Sequence, residues 1–217
     1  MPPYPVKMFG GVGGIINGDH IIVCGGSANN NLISSSCYTL QKDKKWHKAP
    51  GLRVGRIDIS TGSIVLQQGL WISGGRSIGG WEASTEIVGH SSSQPSMNMP
   101  FGILGHCSVL LDRGKENANK IFSIGGNRKN NHFLSETFIW NSKRGTWENG
   151  PSMNRGRYKH GCGIVELGAK KFIFVTGGFQ PGYFPPHTTS STEFLDLSNI
   201  GSGWKNGNIL YKNAIAV

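Results

Sequence analysis

Charge and long apolar runs are what this sequence has little of. Asp, Glu, Lys and Arg together make up 16% of its 217 residues. No stretch approaches the ~20 apolar residues of a membrane-spanning helix. The amino-terminal run MPPYPVKMFGGVGG has no apolar core of the signal-peptide kind. Apolar residues do not recur at helical spacing over the ten or more positions a helix needs. There is no CxxC, no P-loop and no Asn-x-Ser/Thr glycosylation site. A helical bundle, a zinc module of the paired-cysteine type and a phosphate cradle are thereby excluded. The four cysteines, Cys24, Cys37, Cys107 and Cys162, all lie inside apolar runs. Free cysteine behaves as a small hydrophobe, so buried free thiols in a reducing, cytoplasmic compartment are expected. Cys24 and Cys37, if they face each other on neighbouring strands, leave a disulfide as the alternative.

What the chain has in quantity is glycine, 33 residues of 217, about twice the usual ~7%. Glycine does not recur every third residue, so collagen is excluded. A glycine-rich chain with compact apolar runs reads as all-β with tight turns, because glycine supplies the positive φ such turns need. The formal charge is +10, which favours acidic partners. The only dense basic run, Lys42, Lys44, Lys45 and Lys48, is interrupted by Asp43. Nucleic-acid binding is not expected from it.

The glycines are organised by a repeat. Four apolar runs end in Gly-Gly: Gly25-Gly26, Gly74-Gly75, Gly125-Gly126 and Gly177-Gly178. Their first members are 49, 51 and 52 residues apart. A polar loop follows each pair, then a strand that carries Glu86, Glu136 or Glu193 in three repeats, with Cys37 in that place in the first. Trp46, Trp147 and Trp204 come next, with Ser91 at the corresponding position of the second repeat. Pro50, Pro95 and Pro151 follow; Leu52, Met97 and Met153 lie two residues on, and Arg56, Phe101 and Arg157 six on. In the fourth repeat Asn208 stands in place of the proline and Leu210 keeps the apolar position. Each unit thus supplies four short strands, which is one blade of a propeller. One blade cannot cover its own apolar faces, so blades need neighbours.

This pattern resembles the kelch-repeat family over nearly the whole chain, in repeats at approximately 9–50, 58–97, 105–151 and 160–207. The resemblance implies an all-β, kelch-type β-propeller built of four four-stranded antiparallel blades, a partial or open one, since kelch propellers usually close with more than four. It implies a protein–protein interaction module: the substrate-recognition part of a ubiquitin-ligase adaptor of the BTB-kelch kind, or a cytoskeletal binding protein. The chain itself matches no BTB domain, and the adaptor role belongs to a longer parent. The repeated glycines, tryptophans and glutamates are expected to be structural anchors. Binding is expected on the loops between second and third strands, because loops on rigid scaffolds carry function. Arg76, Trp81, Arg128, Lys129, Tyr183, Phe184 and His187 are the candidate contacts, a basic and aromatic set suited to an acidic peptide. Self-association through open blade edges is the other partner expectation; no membrane and no cofactor is expected. The alternative is a kelch-propeller enzyme acting on a sugar or small molecule with a central-channel metal. The seven histidines fall at different phases of the repeat, so catalysis is not expected.

Overall fold

The structure is a computed structural model that describes residues 2–28, 32–62, 64–111, 120–129, 132–141, 143–181 and 187–207. The fourth-repeat positions Asn208 and Leu210 lie outside the described residues. The chain divides into two compact units, Met1–Gly105 and His106–Val217. The division falls between the second and third repeats. Each unit holds two four-stranded antiparallel sheets whose strands follow one another in chain order. In unit 1 the first blade is Val12–Ile16, His20–Cys24, Cys37–Leu40 and Trp46–Ala49. The second is Ile64–Leu66, Gly69–Ser73, Thr85–Val88 and Ser93–Pro95. In unit 2 the third blade is Cys107–Leu111, Lys120–Ile124, Thr137–Asn141 and Thr146–Asn149. The fourth is Gly161–Leu167, Lys170–Thr176, Thr192–Asp196 and Lys205–Asn206. Among the described residues the helical content is a single 3-10 turn, Ile200–Ser202.

The glycine pairs do more than end a strand. All eight glycines have positive φ, from 60° to 103°. That conformation turns the second N–H of the pair toward the linker that leads to the next blade. Gly26 donates to the Arg56 carbonyl, Gly75 to that of Ile103 and Gly126 to that of Arg157, each at 2.8 Å. A side chain at Gly26 would press its Cβ onto the Phe9 carbonyl at 2.8 Å. Two blades then close over one apolar core in each unit. In unit 1 Ile22 and Leu52 of the first repeat pack with Leu70 and Ile72 of the second. In unit 2 Phe122 and Ile124 of the third pack with Ile173 and Leu195 of the fourth. Burying such side chains contributes about 1.5–3 kcal/mol each.

The linker hydrogen bonds correct the sequence alignment of the second repeat. Leu52, Met99 and Met153 donate to the carbonyls of Ser35, Ala83 and Ser135. These are equivalent places, two residues before the third strand. Met99, buried, is therefore the true anchor, and Met97 stays half exposed. Ile103 takes the place of Arg56 and Arg157, not Phe101. Ser93 pairs with Val88 where the tryptophans Trp46 and Trp147 pair with Leu40 and Trp140, so Ser93 and not Ser91 holds the tryptophan position. Pro95 therefore stands two residues ahead of the place of Pro50 and Pro151, which Met97 fills.

Glu136 is a second correction. Its carbonyl accepts the Gly125 N–H, as the carbonyls of Ser36, Ser84 and Ser191 accept those of Gly25, Gly74 and Gly177. It is thus equivalent to those serines. The true counterparts of Glu86 and Glu193 are Tyr38 and Phe138, by strand register. The reason is physical. Glu86 and Glu193 are 2% exposed and each meets a buried arginine from the preceding linker. The Arg56 Nη2 donates to Glu86 Oε1 at 2.8 Å and the Arg157 Nη2 to Glu193 Oε1 at 2.7 Å. Nη1 of each arginine donates to two backbone carbonyls, of Gly74 and Ser84 or of Gly177 and Ser191. The second carboxylate oxygen accepts the N–H of Arg53 or Asn154. Where the arginine position holds Ile103, the glutamate position holds Phe138. The ion pair is kept or replaced as a whole, as the cost of an unpaired buried charge requires. Burial pulls the Arg56 pKa below its ordinary value while Glu86 pulls it back, and an arginine remains charged.

The free-thiol expectation is overturned. Cys24 bonds to Cys37 directly across the second and third strands of the first blade. Cys107 bonds to Cys162, joining the first strands of the third and fourth blades. No described cysteine is free.

Candidate functional site

The loops between second and third strands of the second, third and fourth blades carry two-stranded ribbons. In unit 2 the third blade's ribbon pairs Asn127–Arg128 with His132–Phe133, and the fourth blade's pairs Phe179–Gln180 with His187–Thr188. The linker between the blades threads past both. Gly156 lies against the Phe133 carbonyl, where a Cβ would collide. Tyr158 and Phe179 exchange backbone hydrogen bonds at 3.1 and 2.9 Å. Three half-buried rings are drawn into a row: Phe133 and Tyr158 with centroids 4.7 Å apart, Tyr158 and Phe179 5.2 Å apart. Tilted contacts at these spacings favour the row beyond the area it buries.

Cations border the row. Arg128 and Lys129 on the ribbon, and Arg155 and Lys159 on the linker, are all exposed. Residues 127–133, 151–160 and 177–181 contain no aspartate or glutamate. A cavity of about 420 Å³ lined by Arg155, Ser190, Ser191, Thr192, Glu193, Asn206 and Gly207 opens beside Arg155. An aromatic row with exposed cations, and no carboxylate on its own segments, offers a stacking surface and a positive field together. His106 and His160 lie three residues after Ile103 and Arg157, where unit 1 has Ile59. Both are buried, and desolvation holds each pKa down at about 3, with Arg157 and His106 adding to the effect at His160. They stay neutral at physiological pH.

The sequence candidates divide among the units. Arg128 and Lys129 lie on this platform. Arg76 and Trp81 are directly paired on the second blade's ribbon, in unit 1. There Ile33, Ile57 and Arg76 occupy the places of the three aromatic residues. Phe9, Leu32 and Ile78 are exposed apolar groups of that unit, the last 92% exposed. Tyr183 and Phe184 lie outside the described residues, and of His187 only the backbone is described. Sequence reading missed Phe133, Tyr158, Phe179, Arg155 and Lys159. The signal available was Tyr158 at the position held by Ile57, beside an arginine already marked by the repeat. It also passed over Gly75-Arg76-Ser77-Ile78-Gly79, which has the G-x-S-x-G form of a hydrolase elbow. Here that run makes a β-ribbon with no helix after it, and Ser77 is buried with its Oγ accepting the Gly79 N–H. Among the described residues no three His, Cys, Asp or Glu side chains are gathered as metal ligands.

A family model described as the kelch motif matches residues 117–154, a span that takes in the third blade's second strand and runs to the linker. The other three repeats share its glycine pair and strand order, and the first two share its linker hydrogen bonds. The chain carries a kelch motif. The fold class of this kelch chain is the kelch-type β-propeller, in four-stranded antiparallel blades. Among solved structures it is similar to "Structure of YjhT", at 19% identity and a TM-score of 0.70, over 95% of this chain and 67% of that one. At that identity the likeness shows the fold alone. No curated protein matches the sequence. No helix among the described residues is long and apolar enough to cross a membrane.

Proposed function

We propose that this kelch chain is a protein-interaction module, without catalysis of its own, that captures an acidic peptide segment on the platform of unit 2. The observation that carries the reading is the row Phe133–Tyr158–Phe179 bordered by Arg128, Lys129, Arg155 and Lys159. Aromatic and arginine side chains are the commonest interaction hot spots. A positive border steers an acidic partner and excludes a basic one. Both disulfides favour a compartment that keeps thiols oxidised, rather than the cytoplasm suggested by composition. That weighs against the ubiquitin-ligase adaptor and cytoskeletal roles implied by the family resemblance, which are carried out in the reducing cytosol.

The test uses a fluorescent peptide with glutamates on both sides of one tyrosine, followed by anisotropy. Lys129→Glu with Arg155→Glu should weaken binding by about tenfold or more, equivalent to 1.4 kcal/mol, and raising salt should weaken the wild type. Arg76→Glu in unit 1 is the control. Equal affinity for the double variant and the wild type would refute the assignment.

A further inference from the structure

The two disulfides are differently placed, and the difference bears on the platform. Cys24 and Cys37 are both 0% exposed and lie within one sheet, 13 residues apart in sequence. Opening that bond leaves the two strands joined by their ladder. Cys107 is 1% exposed, but Cys162 is partly exposed. This second bond joins first strands of two different blades across 55 residues of chain. Cys107 pairs with Ile124 and Cys162 with Val175. Ile124 leads through Gly125-Gly126 into the ribbon that carries Phe133. Val175 leads through Gly177-Gly178 to Phe179. Cys162 itself lies four residues beyond Tyr158. The bond therefore joins the two first strands whose ladder partners lead to Phe133 and Phe179, and its Cys162 end is the more exposed of the two.

We infer that Cys107–Cys162 is a redox control of the platform, while Cys24–Cys37 is a fixed structural link. The inference rests on the proposed reading of the platform for its binding consequence, but not for the order in which the two bonds open. The chemistry is exchange with a dithiol. One thiolate of the dithiol attacks the Cys162 sulfur, the Cys162–Cys107 bond breaks, and Cys107 leaves as a thiolate that takes a proton. The second thiol of the reagent, after losing its proton, attacks the mixed disulfide. The reagent closes into its own disulfide and Cys162 departs as a thiolate, which is protonated in turn. Two electrons pass to the protein, and the dithiol is oxidised. Access governs which protein disulfide is attacked first. With the bond open, the third and fourth blades keep their shared core and the Arg157–Glu193 pair, so the unit loosens at the inner strands without coming apart. The rings then lose their fixed spacing.

The experiment titrates the full-length oxidised chain with dithiothreitol and labels exposed thiols with an alkylating agent, locating them by peptide mass spectrometry. Anisotropy with the glutamate–tyrosine peptide is read on the same samples, as is amide hydrogen exchange over residues 127–133 and 158–160. The expected result is that Cys107 and Cys162 are labelled well before Cys24 and Cys37. Peptide affinity should fall about tenfold or more in step, exchange should rise, and reoxidation should reverse both. Cys107→Ser with Cys162→Ser should behave as the reduced chain at every dithiol concentration. Joint labelling of the four cysteines, or earlier labelling of Cys24 and Cys37, overturns the inference. So does unchanged affinity and exchange once Cys107 and Cys162 are labelled. If the oxidised chain does not bind the peptide at all, the platform reading fails, and labelling order with hydrogen exchange still decides the redox control.

Discussion

Replacing Arg157 by isoleucine would strip Glu193, 2% exposed, of its ion partner and leave it the Asn154 N–H at 2.6 Å. The carbonyl of Gly177 would lose the Nη1 donor as well. A buried charge left without its partner costs about 3–5 kcal/mol. Glu193→Phe alone strands the guanidinium, which keeps its carbonyl acceptors, at a cost near the lower end of the same range. The double variant, Arg157→Ile with Glu193→Phe, leaves no charge. It copies what the chain already holds ahead of and within the third blade, Ile103 and Phe138. Its remaining losses are the donors to the Gly177 and Ser191 carbonyls and the acceptor of the Asn154 N–H, about 1–3 kcal/mol for each group left unsatisfied, and these are already counted in the single variants. The coupling between the two substitutions should therefore reach about 3 kcal/mol or more. Urea unfolding of the four proteins in oxidising buffer, closing a double-mutant cycle, measures it directly. If the double variant loses the sum of the single losses to within about 0.5 kcal/mol, the pair is not a unit, and the account of why the repeats swap it whole is wrong.

Three further outcomes follow from the same structure. His106 and His160 have pKa values of about 3 in the fold against 6.5 ordinarily. Below pH 6.5 the unfolded chain takes up their protons and the folded chain does not, so stability falls from pH 6.5 toward 3 and is unaffected above. At pH 5 the loss is about 2 kcal/mol per histidine, and His106→Ile with His160→Ile, following the precedent of Ile59, should flatten the pH dependence in thermal unfolding. Loop closure assigns about 4 kcal/mol to Cys107–Cys162 and about 3 kcal/mol to Cys24–Cys37; the corresponding serine double variants should rank in that order in denaturant midpoints. Gly156→Ala, whose Cβ would meet the Phe133 carbonyl, should cost about 1–3 kcal/mol and speed hydrogen exchange in residues 127–133, with a ribbon unchanged in exchange as the refuting result.

The parts legible in the sequence were those the chain writes more than once. Gly-Gly, Trp46, Trp147 and Trp204, and the recurrence of Arg56 and Arg157 all gave the blade and its period. What failed depended on contact between distant positions. Arg56 meets Glu86 across 30 residues and Arg157 meets Glu193 across 36, and Glu136 offered a false third member two places off register. Pro95 misled in the same way, standing in the second repeat where spacing from Ser91 wanted a proline. The cysteines carry no spacing signal, because their pairing is fixed by strand register and blade stacking. The aromatic row was hidden because its three members sit on separate segments, where spacing singles out only a ribbon cation pair.

The arginine ahead of the second and fourth blades has its carbonyl bound to one sheet and its guanidinium in the next. A cassette cut at the glycine pairs would therefore part Arg56 from Glu86. So would a cut placed just after Arg56 or Arg157, which transplants a glutamate with no counter-ion into its new host. A seam opened at Gly55 or Gly156 instead keeps each guanidinium with its carboxylate, and gives up the arginine's backbone bonds to Gly26 and Ser34, or to Gly126 and Leu134, and the N–H of Arg53 or Asn154 on the glutamate. Grafting, duplicating or circularly permuting these repeats should follow that seam, so that each transplanted carboxylate travels with its own cation.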